Sequence, residues 1–390
     1  MAEKKTGFDI SYLPAPTWNR LGVNKAYIDT KIFDNYKNED IYSEKNTENI
    51  KVENLNRAET EKLIDSFSKD IEREKYIAGK KAIYAQQAFS TGLGKDYTDF
   101  IDENLEESRI FTIEENAQIT KPVIIKWEFK KGSKGIYQNV IHAKKNSSST
   151  FLMVYSSCPQ RDAEGALAFE TKIIIEDGAT VNIMKVNLLG DAFLLLDDTG
   201  ALLNSKSVFN FTQMQLGAAK VYTGCYANQK GDKSLFDINA GYMATQEHSL
   251  DINYVACQRG QKTESKILVK GALRDKASKT FKGTIDFRNG AKASKGDERE
   301  DVLILSDDVV NKTVPVILTE EEDVDGHHGA TIGNLSADTL YYLATRGIDK
   351  KSAQMLMTRG RLLEIAHTIP DEETVERIST FIEGAFKTNE

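Results

Sequence analysis

From Ile110 to Thr319 the chain is a succession of short apolar runs broken by polar turn residues. The runs include Val123-Ile124-Ile125, Phe151-Leu152-Met153-Val154, Lys172-Ile173-Ile174-Ile175 and Val181-Asn182-Ile183-Met184. Phe193-Leu194-Leu195-Leu196, Lys266-Ile267-Leu268-Val269, Gly283-Thr284-Ile285-Asp286-Phe287 and Val302-Leu303-Ile304-Leu305 continue the series. Rich in β-branched and bulky residues, they read as strands. No proline falls between Pro159 and Pro315, as a long stack of paired strands requires, because each proline deletes a ladder donor. One phrase recurs: Ile113-Glu114-Glu115-Asn116-Ala117 and Ile175-Glu176-Asp177-Gly178-Ala179 each run a strand end into a tight acidic turn. With no helices between the strands, a doubly wound α/β fold is excluded. A sandwich, a propeller or a β-solenoid remains, and the irregular repeat with few Asn-Gly or Asp-Gly turns favours the solenoid.

Both flanks read differently. Residues 1–108 look polar and helical, opening with a proline-stiffened stretch, Leu13 to Arg20, in which Trp18 is expected to anchor the segment. Leu63, Phe67 and Ile71 form one apolar stripe at spacing four. Residues 34–54, rich in Asn, Lys and Glu, read as a mobile stretch. From Ser336 onward the pattern is helical again. Ser336 caps a helix over Ala337–Arg346 that stops at Gly347, and Asp349 caps a second over Lys350–Arg359 that stops at Gly360. An apolar run, Leu362 to Ala366, leads to Pro370 and a last helix, Asp371–Phe386, whose Val375, Ile378, Ile382 and Phe386 share a face. The predicted organisation is a variable helical region over 1–108, a β core over 109–325 and a helical domain over 326–390.

Composition narrows the function classes. The 390 residues, 40% hydrophobic and 28% charged, are those of a soluble globular protein. No apolar run approaches the roughly 20 residues that span a bilayer, and the first residues lack the apolar core of a secretory signal; a cytoplasmic location is expected. A net charge of −8 disfavours nucleic-acid binding. The C-terminal helices mimic a helix-turn-helix, but from Ser336 to Glu390 seven Lys/Arg stand against nine Asp/Glu. Cys158, Cys225 and Cys257 are too scattered for a disulfide framework or a self-contained metal site and read as small buried side chains. Neither a GxxxxGK[ST] nor a GxGxxG motif is present. A β-helix carbohydrate-active enzyme would need a carboxylate pair on one groove, and nothing in the sequence brings two together.

The candidate chemistry concentrates at Asp323-Val324-Asp325-Gly326-His327-His328-Gly329-Ala330-Thr331-Ile332-Gly333, behind the acidic run Glu320-Glu321-Glu322. Imidazole and carboxylate suit iron or zinc, yet neighbours on an extended segment point to opposite faces, so both histidines rarely reach one ion. The plain reading is one buried, hydrogen-bonded histidine and one exposed. The third reading is a contact in which one histidine faces a partner subunit. His142, His248 and His367 are isolated and read as structural.

With its flanks, this junction resembles the SufB/SufD family of iron–sulfur cluster assembly proteins. The resemblance is carried in order by Ser278-Lys279-Thr280-Phe281-Lys282-Gly283-Thr284-Ile285, Leu303-Ile304-Leu305-Ser306, Thr313-Val314-Pro315, His328-Gly329-Ala330-Thr331-Ile332-Gly333 and Leu340-Tyr341-Tyr342-Leu343-Ala344-Thr345-Arg346-Gly347-Ile348. It covers about residues 278–366, and Pro16-Thr17-Trp18-Asn19-Arg20 also looks like the entry segment of some members. The resemblance implies a right-handed parallel β-helix with helical ends. It further implies a non-enzymatic scaffold that pairs with SufB through the β-helix and with the SufC ATPase through the C-terminal helices, where Leu340, Tyr342 and Leu343 would dock. SufB carries a cysteine where this chain reads Asp297-Glu298-Arg299-Glu300-Asp301, and Glu-His-Glu-Ala where it reads His327-His328-Gly329-Ala330. Both departures place the chain closest to SufD. His328 falls on the SufD histidine held to face the SufB cysteine, and Asp325 stands where many SufD members have cysteine. The implied site is therefore shared: His328 as a metal ligand completed by the partner, with His327 and Asp325 beside it. No cofactor is expected on this chain alone, only transient iron or an iron–sulfur cluster at the interface. A SufD-like homodimer working without SufB is the alternative within the family.

Overall fold

The computed structural model describes residues 6–17, 19–38, 40–67, 71–77, 80–86, 89–157 and 164–387, with the backbone path alone for 71–77 and 80–86. Trp18 and Cys158 lie outside the described residues. From Glu107–Ile113 to Val324–Gly333 successive strands alternate between two nine-stranded sheets, each made of eight parallel strands and one antiparallel strand. This is a parallel β-solenoid of about eight turns. The turns differ in length. Gln229 pairs with Gln258 and Gln258 with Phe287, 29 residues apart each time, whereas Leu203 to Gln229 takes 26 and Ala143 to Ile175 takes 32.

One corner of the coil explains the recurrent phrase. Asn116, Asn146, Gly178, Lys206, Lys233 and Lys262 all sit there with φ between 55° and 69°. This left-handed conformation costs a non-glycine residue roughly 1–2 kcal/mol. All six, Gly178 included, donate their N–H one turn onward, to Lys145, Asp177, Ser205, Asp232, Gln261 and Lys292, at 2.8–3.0 Å, and in the five non-glycine residues this bond offsets the cost. A backbone bond, rather than a particular side chain, defines the corner, so asparagine, glycine and lysine serve alike.

Inward-facing positions form columns. Ile183, Phe211, Ile238 and Ile267 succeed one another in register and belong to the central hydrophobic core. Phe209 stacks on Phe236 one turn on, with centroids 5.4 Å apart. Parallel strands buried on both sides read as continuous apolar runs, which is the pattern the sequence shows.

Among the described residues the N-terminal region has two α-helices, α1 (Arg57–Phe67) and α2 (Lys95–Asn104), but much of it is strand. The stretch expected to be mobile holds two strands, Asp40–Lys45 and Lys51–Asn56, which pair antiparallel with the first turn. Their polar composition hid them, because edge strands are held by ladder bonds and need little apolar periodicity. Ile71 leaves the α1 stripe and starts a strand, Ile71–Ile77, paired with Lys80–Gln86. α2 buries Tyr97 and Ile101 against Ala166, Ala168 and Leu196 on the outer sheet face. Lys282, buried, donates to the Ser11 carbonyl at 2.7 Å and pairs with Asp251 at 2.9 Å, tying the first strand's end to that face.

Three helices follow the solenoid: α3 (Ala337–Thr345), α4 (Lys350–Ala366) and α5 (Glu372–Lys387). Ser336 and Asp349 accept from the N–H groups of Thr339 and Ser352, as capping residues should, and Gly347 takes φ 79°. The stop read at Gly360 is overruled. α4 continues through it because Leu362, Ile365 and Ala366 bury against the sheet, which outweighs the roughly 1 kcal/mol a helical glycine costs. Ile378, Ile382 and Phe386 of α5 join them, as the shared face predicted, over Leu152, Val154, Val186, Met214 and Leu303. The helical unit thus folds back along the outside of one sheet.

Close approach of the N-terminal layer depends on paired glycines. A Cβ at Gly224 would lie 2.5 Å from the Gly92 carbonyl carbon, and one at Gly92 would lie 2.2 Å from the Cys225 nitrogen. We expect Gly224→Val to destabilise the chain by about 3 kcal/mol, read as a lower urea midpoint. An unchanged midpoint would show that the layer yields without cost.

Candidate functional site

The last turn has no successor. Strands Val310–Thr319 and Val324–Gly333 end their sheets and pair on one side only. α4 and α5 lie on the outer face. Among the described residues no further strand covers this end, and it exposes Val310 at 48% and Ile332 at 49%. A row of unpaired N–H and C=O groups beside apolar side chains is a template for a second chain.

On that edge the two histidines diverge as strand geometry requires. His327 pairs in register with Asp297, and its Nε2 lies 2.8 Å from Asp325 Oδ1. His328 pairs with Glu298 and so extends the inward column of Phe211, Ile238 and Ile267. Both histidines are exposed, which corrects the expectation of one buried and one exposed: among the described residues no strand lies above the terminal turn. His142 and His248 are buried, the former 2.7 Å from Glu176, and His367 closes α4.

Beneath His328 the core turns polar. Glu298 is 1% exposed, and its Oε2 has no hydrogen-bond partner among the described residues. Burial, with Glu300 nearby, pushes its carboxyl up to about 7. Gly283 makes room for it, since a Cβ there would sit 2.4 Å from the Glu298 carboxyl carbon. Glu300, two residues along, accepts from Lys279 at 2.6 Å, from Tyr242 at 3.0 Å and from Thr313 at 2.6 Å. Burial lowers the Lys279 ammonium below its usual range against the opposing pull of Glu300. Sequence reasoning passed over Glu298 and Glu300, registering their segment only as lacking a thiol. The available signal was two acidic residues at spacing two on a strand, which share one face. Among the described residues no three His, Cys, Asp or Glu side chains converge to hold a metal ion.

The residues expected to dock an ATPase lie on α3, none of whose side chains is buried. Tyr342 is 56% exposed, with the Arg346 guanidinium 5.2 Å from its ring centroid, while Leu340 and Leu343 are half-buried. Tyr341, not singled out from the sequence, is 74% exposed, and Leu356 and Met357 add apolar surface on α4.

The profile described as SUF system FeS cluster assembly, SufBD core domain, matches residues 129–361, more than half of the chain. The chain belongs to the SufBD family. It is 26% identical over 70% of its length to the iron–sulfur cluster assembly protein SufD of Bacillus subtilis, of which the match spans 63%. It is 22% identical over half its length to a chloroplastic SufBD family protein of Arabidopsis thaliana and 19% identical over 63% to one of Synechocystis, spanning 36% and 53% of those proteins. The chain thus covers less than two thirds of these relatives. For this SufBD protein the similarity to SufD agrees with the two departures from the SufB pattern.

The shifted carboxyl has a thermodynamic signature. With its folded value near 7, above the ordinary 4.5, Glu298 favours folding below the ordinary value, and that contribution is lost as pH rises through about 7. Glu298→Gln should remove the loss, which is on the order of 3 kcal/mol. Urea denaturation of both proteins across this range measures it; parallel profiles would mean that Glu298 ionises freely.

Proposed function

We propose that this protein is a SufD-like, non-catalytic scaffold subunit of a SUF complex, and that its open last turn is half of a cluster-assembly site. The observation that carries the reading is the placement of His328, in register with the buried Glu298, on a strand whose other edge is unpaired. One imidazole and a carboxylate with a vacant oxygen make a weak site for iron alone and a useful one when a partner adds a thiolate. The partner proposed is a SufB-type subunit joined through the solenoid end, and iron or the nascent cluster is cargo at the junction. Asp325 and His327, on the outward side, would hold the rim of the contact. An ABC-type ATPase of the SufC kind would dock on Tyr342, Leu340 and Leu343 and bias the junction between two arrangements by binding one better than the other.

Co-expression with SufB and SufC candidates tests this. His328→Ala should leave the complex intact on size analysis yet cut anaerobic cluster formation at least tenfold, followed by the visible absorbance of the cluster. Full assembly by a pure His328→Ala complex would remove the histidine from the mechanism. A stable cluster on the purified single chain would overturn the shared site.

A charge on α3 tests the second contact separately. Tyr342→Glu should abolish co-purification with the ATPase while the SufB-type partner is retained. Undiminished ATPase recovery would move that docking surface elsewhere.

A further inference from the structure

One chemically labile pair stands at the corner that leads into the strand carrying Glu298. Of the asparagines in the chain, Asn289 alone is followed by glycine. The pair Asn289-Gly290 lies between strands Ser278–Phe287 and Ser294–Ile304, and both residues are exposed. Gly290 takes φ 99°, a conformation glycine adopts without strain. Among the described residues no hydrogen bond holds the Asn289 side-chain amide, so it can turn towards the next peptide unit. Asn116 and Asn146, exposed on earlier windings of the same corner, differ in both respects: they precede Ala117 and Ser147, and their amides bond to each other at 3.3 Å.

Side chains of the last corner clip onto this one. Glu320 accepts the Asn289 N–H at 3.4 Å, and Glu321 accepts the Gly290 N–H at 3.3 Å. Arg288 pairs with Glu320 at 3.3 Å. The main chain adds bonds from Glu320 N to Phe287 O at 2.7 Å and from Ala293 N to Asp323 O at 2.6 Å. The final winding is thus fastened to the coil by carboxylates as well as by its ladder.

We propose that Asn289 is a site of spontaneous deamidation, and that its conversion releases the clip to Glu320 and Glu321. Asparagine is a thermolabile residue, and the glycine after it has no Cβ to shield the attacking nitrogen. The Gly290 nitrogen forms a bond to the Asn289 side-chain carbonyl carbon. The bond from that carbon to its amide nitrogen breaks, and this nitrogen leaves as ammonia, taking the proton that Gly290 gives up. Water, the single co-reactant, then opens the cyclic imide at either carbonyl. One product is aspartate. The other is isoaspartate, whose main chain runs through the former side chain and is one methylene longer. Either puts a new carboxylate beside the two glutamates, where like charges repel. The isoaspartyl product also displaces the Gly290 N–H from Glu321. The inference does not rest on the function proposed above.

The full chain is aged at mildly alkaline pH and sampled by peptide mapping with mass spectrometry. Asn289 should convert to aspartate and isoaspartate at least about tenfold faster than Asn116 and Asn146, as the missing Cβ at the next residue implies. Hydrogen exchange of the converted protein should then be faster over Val310–Gly333 than in the fresh protein. Asn289→Gln, aged in the same way, should keep the slow exchange. An Asn289 that stays intact, or converts no faster than the other two, would overturn the site. Unchanged exchange over Val310–Gly333 in fully converted protein would overturn the release.

Discussion

Parallel pairing without interruption is the constraint on which everything else here rests. A strand in the middle of the coil satisfies its backbone groups through the turns before and after it, and the corner residues do the same with their own ladder. That arrangement tolerates almost any side chain at the corners and demands apolar ones inside. It also has an unavoidable defect: a coil has two ends, and an end cannot be satisfied from within. The protein treats its ends unequally. The first turn is met by two antiparallel strands from the N-terminal region. Among the described residues no strand covers the last turn, although three helices follow it, because those helices pack along the side.

The coil encloses charged side chains at more than one level. Phenylalanine and isoleucine columns fill much of the interior, yet the middle turns bury Glu170, Lys185, Asp197 and Asp198, and the penultimate turn buries Glu298, Glu300 and Lys279. Buried charges are a poor way to stabilise a fold, and Asp198 and Glu298 each keep a carboxylate oxygen with no hydrogen-bond partner among the described residues. Such a departure is expected where local stability is subordinated to chemistry. At the final two turns such a carboxylate, Glu298, stands in register with the exposed His328.

The solenoid was legible because doubly buried strands write themselves as apolar runs, and the C-terminal caps because Ser336, Asp349 and Gly347 have conformational reasons to be where they are. Three things were not legible. The edge strands at 40–45 and 51–56 carry no apolar period. The continuation of α4 through Gly360 is decided by burial of Leu362 and Ile365, a tertiary effect that overrides local propensity. The Glu298–His328 alignment depends on register across 30 residues (298 to 328), and turn lengths that vary from 26 to 32 hide that register from any inspection of spacing. The opposite orientation of His327 and His328 followed from strand geometry alone; their common exposure did not, because it depends on what fails to cover them.

The unequal turns have a dynamic consequence. In a coil each winding leans only on its neighbours, so cooperativity is close to one-dimensional. A winding with a neighbour on one side has about half the interfacial support and opens first. Val310–Gly333 should therefore breathe ahead of the rest, like the loose end of a spring. Any molecule that seats itself there lends the missing neighbour and raises local order by mass action. Occupancy at the tip is then written into the rigidity of the filament beneath it, without any change in its shape.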